Sequence, residues 1–118
     1  MLFNDNLEIN EKAGDWIEEH TKTSEYIFIV GSDYNLIQAL STSKRQSSSK
    51  YFNDIFISWK KEQDLVYSDL HNKSPKFILK IKNDSLSLKR YGSRVENLLN
   101  KYYTLENTLK DIEILKRK

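Results

Sequence analysis

Residues 76–91, KFILKIKNDSLSLKRY, decide how the second half of the chain is arranged. Apolar and basic residues alternate on both sides of Asn83-Asp84, a dipeptide that suits a two-residue turn between antiparallel strands. In that register one face carries Phe77, Leu79, Ile81, Leu86 and Leu88. The other face carries Lys76, Lys80, Lys82, Lys89 and Tyr91. A slip by one residue would bury the lysines, so the pattern predicts a β-hairpin with one core face and one basic face.

The residues that follow this segment predict a long amphipathic helix over 93–116. Ser93 and Glu96 have the spacing of a capping box. Apolar residues then recur in steps of three and four, which places on one stripe Val95, Leu98, Tyr102, Leu105, Leu109 and Ile112. We expect this stripe to form a homodimer or to contact another protein partner. Packing of the stripe on the domain's own core is the alternative.

The N-terminal part of the chain predicts a helix, a buried strand and a short second helix. Apolar residues fall at helical spacing over residues 7–20. Residues 25–31 form a short apolar run that is rich in β-branched and aromatic side chains, which is typical of a buried strand. Ser32 or Asp33 can cap the short helix that follows.

A Ser-rich segment and an aromatic-rich segment come next. Residues 41–50 hold six Ser or Thr and three bases, which predicts a flexible basic loop. In residues 51–70 the apolar positions recur in steps of three and four, which favours one helix. A strand over residues 51–58 is the alternative, because Ile55-Phe56-Ile57 is a short apolar run.

The length of 118 residues predicts a single domain over 1–118. The net charge is only +2, but it is unevenly placed. Residues 1–43 hold eight acids and two lysines, a net of −6, whereas residues 44–118 hold seventeen bases and nine acids, a net of +8. Such asymmetry favours a polyanionic partner. The alternative is that the acidic part folds against the basic part and neutralises it.

The sequence offers few groups for chemistry. It has no Cys, which excludes disulfides and thiolate metal sites. Its two histidines, His20 and His71, lie in unrelated segments at predicted helix ends, where His is favourable. There is no glycine-rich phosphate loop and no nucleophile motif. We therefore expect no enzymatic activity, no metal and no cofactor.

The N-terminus, MLFNDNLEIN, has neither the basic start nor the apolar run of a signal peptide. The longest apolar run, residues 26–30, is too short to span a membrane. We therefore expect an intracellular protein, cytoplasmic or nuclear, with no membrane partner.

Together these segments predict an α+β fold. The expected order is helix, strand, helix, helix, β-hairpin and long C-terminal helix, with a small three-stranded sheet. This is the element order of winged-helix domains, and the analogy is one of predicted topology. In that arrangement residues 51–71 would include the recognition helix, and residues 82–85 would form the tip of the wing.

The basic hairpin and the charge asymmetry predict a small non-enzymatic nucleic-acid-binding protein, DNA-binding by the winged-helix analogy. The residues expected to contact phosphates are Lys80, Lys82, Lys89, Arg90, Lys76, Lys60, Lys61, Lys44 and Arg45. The alternative is a protein–protein interaction subunit or inhibitor that acts through the amphipathic C-terminal helix. In that case the lysines only keep the surface hydrated.

Overall fold

The computed structural model describes residues 2–31, 34–48 and 60–118. Within these ranges the chain is α+β, with five helices and a five-stranded mixed sheet. The helices are α1 (Leu2–His20), α2 (Tyr34–Ser43), α3 (Lys60–Lys73), α4 (Ser85–Arg90) and α5 (Ser93–Tyr102). The strands are β1 (Tyr26–Ile29), β2 (Gln46–Ser47), β3 (Phe77–Ile81), β4 (Tyr103–Leu109) and β5 (Ile112–Arg117). No helix in the described ranges is long and apolar enough to cross a membrane.

The five strands lie in the order β2–β1–β3–β5–β4. The first three are parallel to one another, whereas β5 is antiparallel to both of its neighbours, β3 and β4. Buried side chains of α1 and α2 form one core cluster with the sheet, and those of α3 and α5 form the other. The sheet therefore lies between two helical layers.

The central strands are apolar because both of their faces are covered. In β1, Ile27 and Ile29 belong to the cluster with α1 and α2, whereas Phe28 belongs to the cluster with α3 and α5. β3 repeats this arrangement with Leu79 on the first side and Ile78 on the second. Parallel strands that are covered on both faces read as continuous apolar runs. The predicted helix over 7–20 and buried strand over 25–31 are confirmed as α1 and β1.

The two helices on the first face approach each other closely at Gly14. A Cβ atom on Gly14 would lie 2.5 Å from the Cβ of Thr42 and 2.9 Å from the Ala39 carbonyl oxygen, both in α2. A glycine inside a helix is less favourable than alanine by about 1 kcal/mol. The close contact between α1 and α2 explains why a larger residue does not fit here.

The predicted β-hairpin at residues 76–91 is wrong. β3 pairs with β1 and β5, and the chain then enters α4 instead of returning as a strand. The Asp84 carboxylate accepts a hydrogen bond from the Ser87 N–H and so caps α4. Leu86, which was assigned to the core, is exposed, whereas Ile78 is buried on the face that was assigned to the lysines. The winged-helix-like arrangement and its small three-stranded sheet are therefore wrong as well.

The predicted long helix over 93–116 is also wrong. α5 begins at Ser93 as predicted but ends at Tyr102, and β4 and β5 follow it. The spacing of three between Leu109 and Ile112 was interpreted as helical. In the structure these two residues pair across the two-residue β4–β5 turn, where the same spacing also brings apolar residues together. Along β5 the buried Ile112 and Ile114 alternate with the less buried Glu113 and Leu115, which is the period of a strand.

The predicted dimer stripe does not form one helical face. Four of its members lie in or against the protein core, namely Val95, Leu98, Leu109 and Ile112. Leu105 in β4 is 57% exposed and Tyr102 at the end of α5 is 38% exposed. Most of the stripe therefore packs within the domain, which was the alternative expectation.

Two predicted segments are only partly covered by the described residues. Residues 41–43 end α2 and Gln46–Ser47 form β2, so the described part of the Ser-rich segment holds regular structure. α3 confirms the helical character of residues 60–70. The alternative strand at 51–58 and the proposed caps Ser32 and Asp33 lie outside the described residues.

Candidate nucleic-acid interface

Lys80, the first residue predicted to contact phosphate, lies inside the protein. Its Nζ atom is 2.8 Å from Glu113 Oε1 across the β3–β5 pair. The two side chains are only 17% and 21% exposed, and they share a cleft with Leu88 and Leu99. The charge of Lys80 is therefore neutralised by Glu113 within the fold.

Arg45 and Lys44 bind the end of α1. The Arg45 guanidinium donates hydrogen bonds to the Thr21 hydroxyl (2.8 Å), the Thr21 carbonyl (3.0 Å) and the Glu18 carbonyl (3.2 Å). The last carbonyls of a helix have no partner within the helix, so Arg45 satisfies groups that would otherwise lack one. Lys44 Nζ lies 3.6 Å from the Glu18 carboxylate.

The turns at one end of the sheet carry balanced charge. Lys82 is exposed in the turn after β3, and its N–H donates to the Asp111 carbonyl in the β4–β5 turn. We call this region, formed by Lys82, Asp84, Lys110 and Asp111, the loop end. It holds two lysines and two aspartates, so the predicted wing tip is not a basic surface.

The remaining predicted residues are spread over several elements. Lys89 and Arg90 are exposed at the end of α4, and Lys60 and Lys61 are exposed at the start of α3. Lys76 precedes β3, where its Nζ atom lies 3.7 Å from the Glu25 carboxylate and donates to the His20 carbonyl. Lys60 lies close to the end of α4, since it lines a pocket with Gln63 and Tyr91, and Gln63 Nε2 donates to the Arg90 carbonyl at 2.9 Å. The predicted residues therefore do not form a wing.

A dense basic surface forms instead at the other end of the sheet. Here β5 ends beside the start of β3, since the Arg117 N–H donates to the Lys76 carbonyl at 3.0 Å. The Lys118 N–H donates to the Tyr102 carbonyl at 2.8 Å, which joins the end of β5 to the end of α5. We call this region the basic end; it is formed by Lys73, Lys76, Lys101, Lys116, Arg117 and Lys118. Because side chains alternate along β5, Lys116 lies on the α1–α2 side of the sheet and Arg117 on the α3–α5 side. Only Lys76 of these six was predicted to bind nucleic acid.

Aromatic rings lie between the charges of the basic end. Lys73 Nζ is 5.1 Å from the centre of the Tyr26 ring. Lys101 Nζ and Arg117 Cζ are 5.3 Å and 5.2 Å from the centre of the Tyr102 ring. Cations at these distances are attracted to the ring face. The surface therefore alternates positive charge with partly exposed rings.

A groove between α3 and α5 extends from the basic end. Its volume is about 270 Å³, and it is lined by Tyr67, Arg94, Asn97, Leu98, Lys101 and Tyr102. The five α5 residues recur in helical steps, so they lie along one side of that helix. Lys101 and Tyr102 belong both to the groove and to the basic end, which makes the two surfaces continuous. None of the lining residues is acidic.

Arg94 stacks on the wall of this groove. Its Cζ atom lies 4.1 Å from the centre of the Tyr67 ring, and its Nη1 atom lies 3.3 Å from Asp64 Oδ1. The Arg94 and Asp64 side chains are 62% and 45% exposed. An ion pair this exposed is worth at most about 1 kcal/mol, so a phosphate can compete with Asp64 for the guanidinium.

Tyr103 anchors the basic end to the core. Its buried hydroxyl donates a hydrogen bond to the Pro75 carbonyl, and its ring packs with the α3–α5 core cluster. Burial raises the pKa of Tyr103. A hydrogen bond with Arg117 and the positive charge of Arg117 partly oppose that increase. The Arg117 guanidinium, 5.9 Å from the centre of the Tyr103 ring, is thus held at the basic end of the sheet.

Sequence reasoning missed this surface because its members are far apart in the chain. Lys116 and Arg117 end β5 next to Lys76, although they lie at the end of the segment that was predicted to be a long helix. Lys73 and Lys101 lie in the last turns of α3 and α5, a position that favours basic residues on any helix. Within the described residues no group of three or more His, Asp or Glu could hold a metal ion.

No protein-family model, curated protein or solved structure matches this chain. The charges, rings and groove described above are therefore the basis for a functional assignment.

Proposed function

We propose that this chain is a non-enzymatic nucleic-acid-binding protein that uses the basic end and the α3–α5 groove. The observation that carries the proposal is the convergence of six bases, from α3, α5, β5 and the segment before β3, on one end of the sheet. Nucleic-acid backbones carry a dense row of phosphates, and Lys and Arg that replace condensed counterions provide most of the non-specific affinity.

The arrangement of the rings favours nucleic acid over other polyanions. Tyr67 and Tyr102 lie next to Arg94, Lys101 and Arg117, so aromatic and cationic groups alternate along the same path. Phosphates bind to the cations, and bases stack on rings and on guanidinium planes. An anionic lipid surface or an acidic protein would use the charges and could contact the rings, but neither provides a row of flat bases that stack on rings and guanidinium planes.

The test is fluorescence anisotropy with labelled oligonucleotides at about 50 and 200 mM salt. The variant Lys101→Gln/Lys116→Gln/Lys118→Gln removes three exposed charges from the basic end. The matched control Lys82→Gln/Lys89→Gln/Lys110→Gln removes three exposed charges elsewhere. We expect the first variant to lose at least about tenfold in affinity at low salt, with a shallower salt dependence because fewer counterions are released.

The control variant has the same net charge as the test variant, so it separates a local contact from a general charge effect. The proposal is wrong if the natural chain does not bind at low salt, or if the two variants lose affinity equally. Binding to vesicles of anionic lipid that is as tight as binding to oligonucleotides would favour a membrane surface instead. Circular dichroism of each variant checks that the fold is retained.

Protein interaction is a second candidate function, and β4 is the observation that favours it. β4 is an edge strand of the sheet, and Leu105 on it is 57% exposed. Edge strands can pair with a second copy of the same chain through main-chain hydrogen bonds. The irregular register between Leu105 and Asn107 opposes such pairing, because a bulge protects an edge. Mass in solution, compared between the natural chain and Leu105→Lys, tests this candidate.

A further inference from the structure

We infer that the groove between α3 and α5 takes a single strand of nucleic acid, with unpaired bases stacked on its walls. This inference rests on the proposed function and adds the class of polymer. The groove has a volume of about 270 Å³ and is lined by residues of α3 and α5. A space of that volume holds a short piece of one strand, whereas a duplex could only lie across its rim.

The walls of the groove present flat groups at two places. At one place the Arg94 guanidinium lies 4.1 Å from the centre of the Tyr67 ring, and the Arg94 side chain is 62% exposed, which leaves room for a base beside it. At the other, the Tyr102 ring is 38% exposed, with Lys101 Nζ 5.3 Å and Arg117 Cζ 5.2 Å from its centre. Bases in a duplex are already stacked on their neighbours, so only unpaired bases can use these groups.

Polar groups lie at the right positions between the two stacking places. Arg94 and Lys101 are two helical turns apart on α5, about 10 Å, so both charges can neutralise phosphates of the same strand. Asn97 lies between them, and its amide can both donate to and accept from a base edge. The groove therefore offers charge, stacking and hydrogen bonds in sequence along one line.

The inference is tested with one labelled oligonucleotide of about 12 nucleotides, offered as a single strand and as a duplex at the same salt concentration. We expect the single strand to bind at least about tenfold more tightly. Tyr102→Leu removes the ring and should lose about tenfold for the single strand, whereas Tyr102→Phe should retain its affinity. Arg94→Lys keeps the charge but removes the flat guanidinium, so it should also weaken single-strand binding.

Leu86→Ser is the control for Tyr102→Leu, because it also alters an exposed apolar residue but lies on α4. Equal binding of duplex and single strand would overturn the inference. It would also be overturned if Tyr102→Leu and Arg94→Lys bound like the natural chain while the triple Lys→Gln variant of the basic end lost binding. Those results would leave the proposed function intact. Absence of binding to both forms would refute the inference and the proposed function together.

Discussion

The two ends of the sheet carry different charge arrangements. At the loop end, Lys82 and Lys110 are accompanied by Asp84 and Asp111, and one of these acids caps a helix. At the basic end there are six bases, of which Lys76 lies 3.7 Å from the Glu25 carboxylate. The first end is the one that the sequence marks as lysine-rich. Charge density along the chain is therefore a poor guide to charge density in space.

The difference arises from the strand order. β5 lies between β3 and β4, so its last residues come next to Lys76 although some forty positions separate them in sequence. Conversely, Lys80 and Lys82 are close in sequence, but one enters the cleft under α4 and α5 and the other reaches solvent. β3 ends at Ile81, so Lys80 lies within the covered strand, whereas Lys82 lies in the exposed turn that follows it.

The largest predicted effect concerns the ion pair between Lys80 and Glu113, which we expect to stabilise the fold and not to contact phosphate. Glu113→Leu leaves the Lys80 ammonium without its partner in a cleft with Leu88 and Leu99. We expect the free energy of unfolding to fall by about 2 kcal/mol, less than for a fully buried pair because both groups retain some exposure. Urea denaturation measures the change.

The double variant Lys80→Met/Glu113→Leu is the control for that prediction. It replaces the ion pair by two apolar side chains, which restores most of the stability because no unpaired charge remains. Its affinity for nucleic acid should equal that of the natural chain. A loss of affinity in this stable double variant would show that Lys80 contacts nucleic acid. The proposed difference in binding between the two ends of the sheet would then be wrong.

Some of these features could be predicted from the sequence and others could not. α1 and β1 were found from periodicity, because a long helical stripe and a run of Tyr26 to Val30 are local signals. The segment after β3 was misread because Asp84 caps a helix in the same position where it could turn a hairpin. The basic end had no local signal at all, since it exists only once β3, β5 and α5 are brought together.

The second prediction uses the pH dependence of stability at the basic end. Burial raises the pKa of Tyr103 in the folded chain, whereas in the unfolded chain it ionises near its ordinary value of about 10. Above that pH the unfolded state loses its proton first, so the contribution of Tyr103 is complete below about pH 10 and decreases as the pH rises further. We expect a loss of up to about 1.4 kcal/mol per pH unit from this group.

Tyr103→Phe isolates that contribution. At neutral pH it should cost about 1 kcal/mol, because the Pro75 carbonyl loses its donor. Between about pH 9 and 11 its free energy of unfolding should fall less steeply than that of the natural chain. Equal slopes for Tyr103→Phe and the natural chain would show that Tyr103 does not anchor this end in the manner described.

The smallest predicted effect concerns the acid beside the groove. Asp64 Oδ1 lies 3.3 Å from Arg94 Nη1, so a phosphate that binds Arg94 has to compete with Asp64. Asp64→Asn removes that competition and one negative charge, and we expect nucleic-acid affinity to increase about threefold at low salt, with little change at high salt. Anisotropy titrations at both salt concentrations measure this increase.

Asp111→Asn is the matched control, because it makes the same substitution at the exposed loop end. If the groove and the basic end form the interface, the Asp111 variant gains much less affinity than the Asp64 variant, since its charge is remote from the bound phosphates and is screened by salt. An equal gain for both variants would mean that only the net charge matters. In that case the contrast between the two ends of the sheet would have no role in binding.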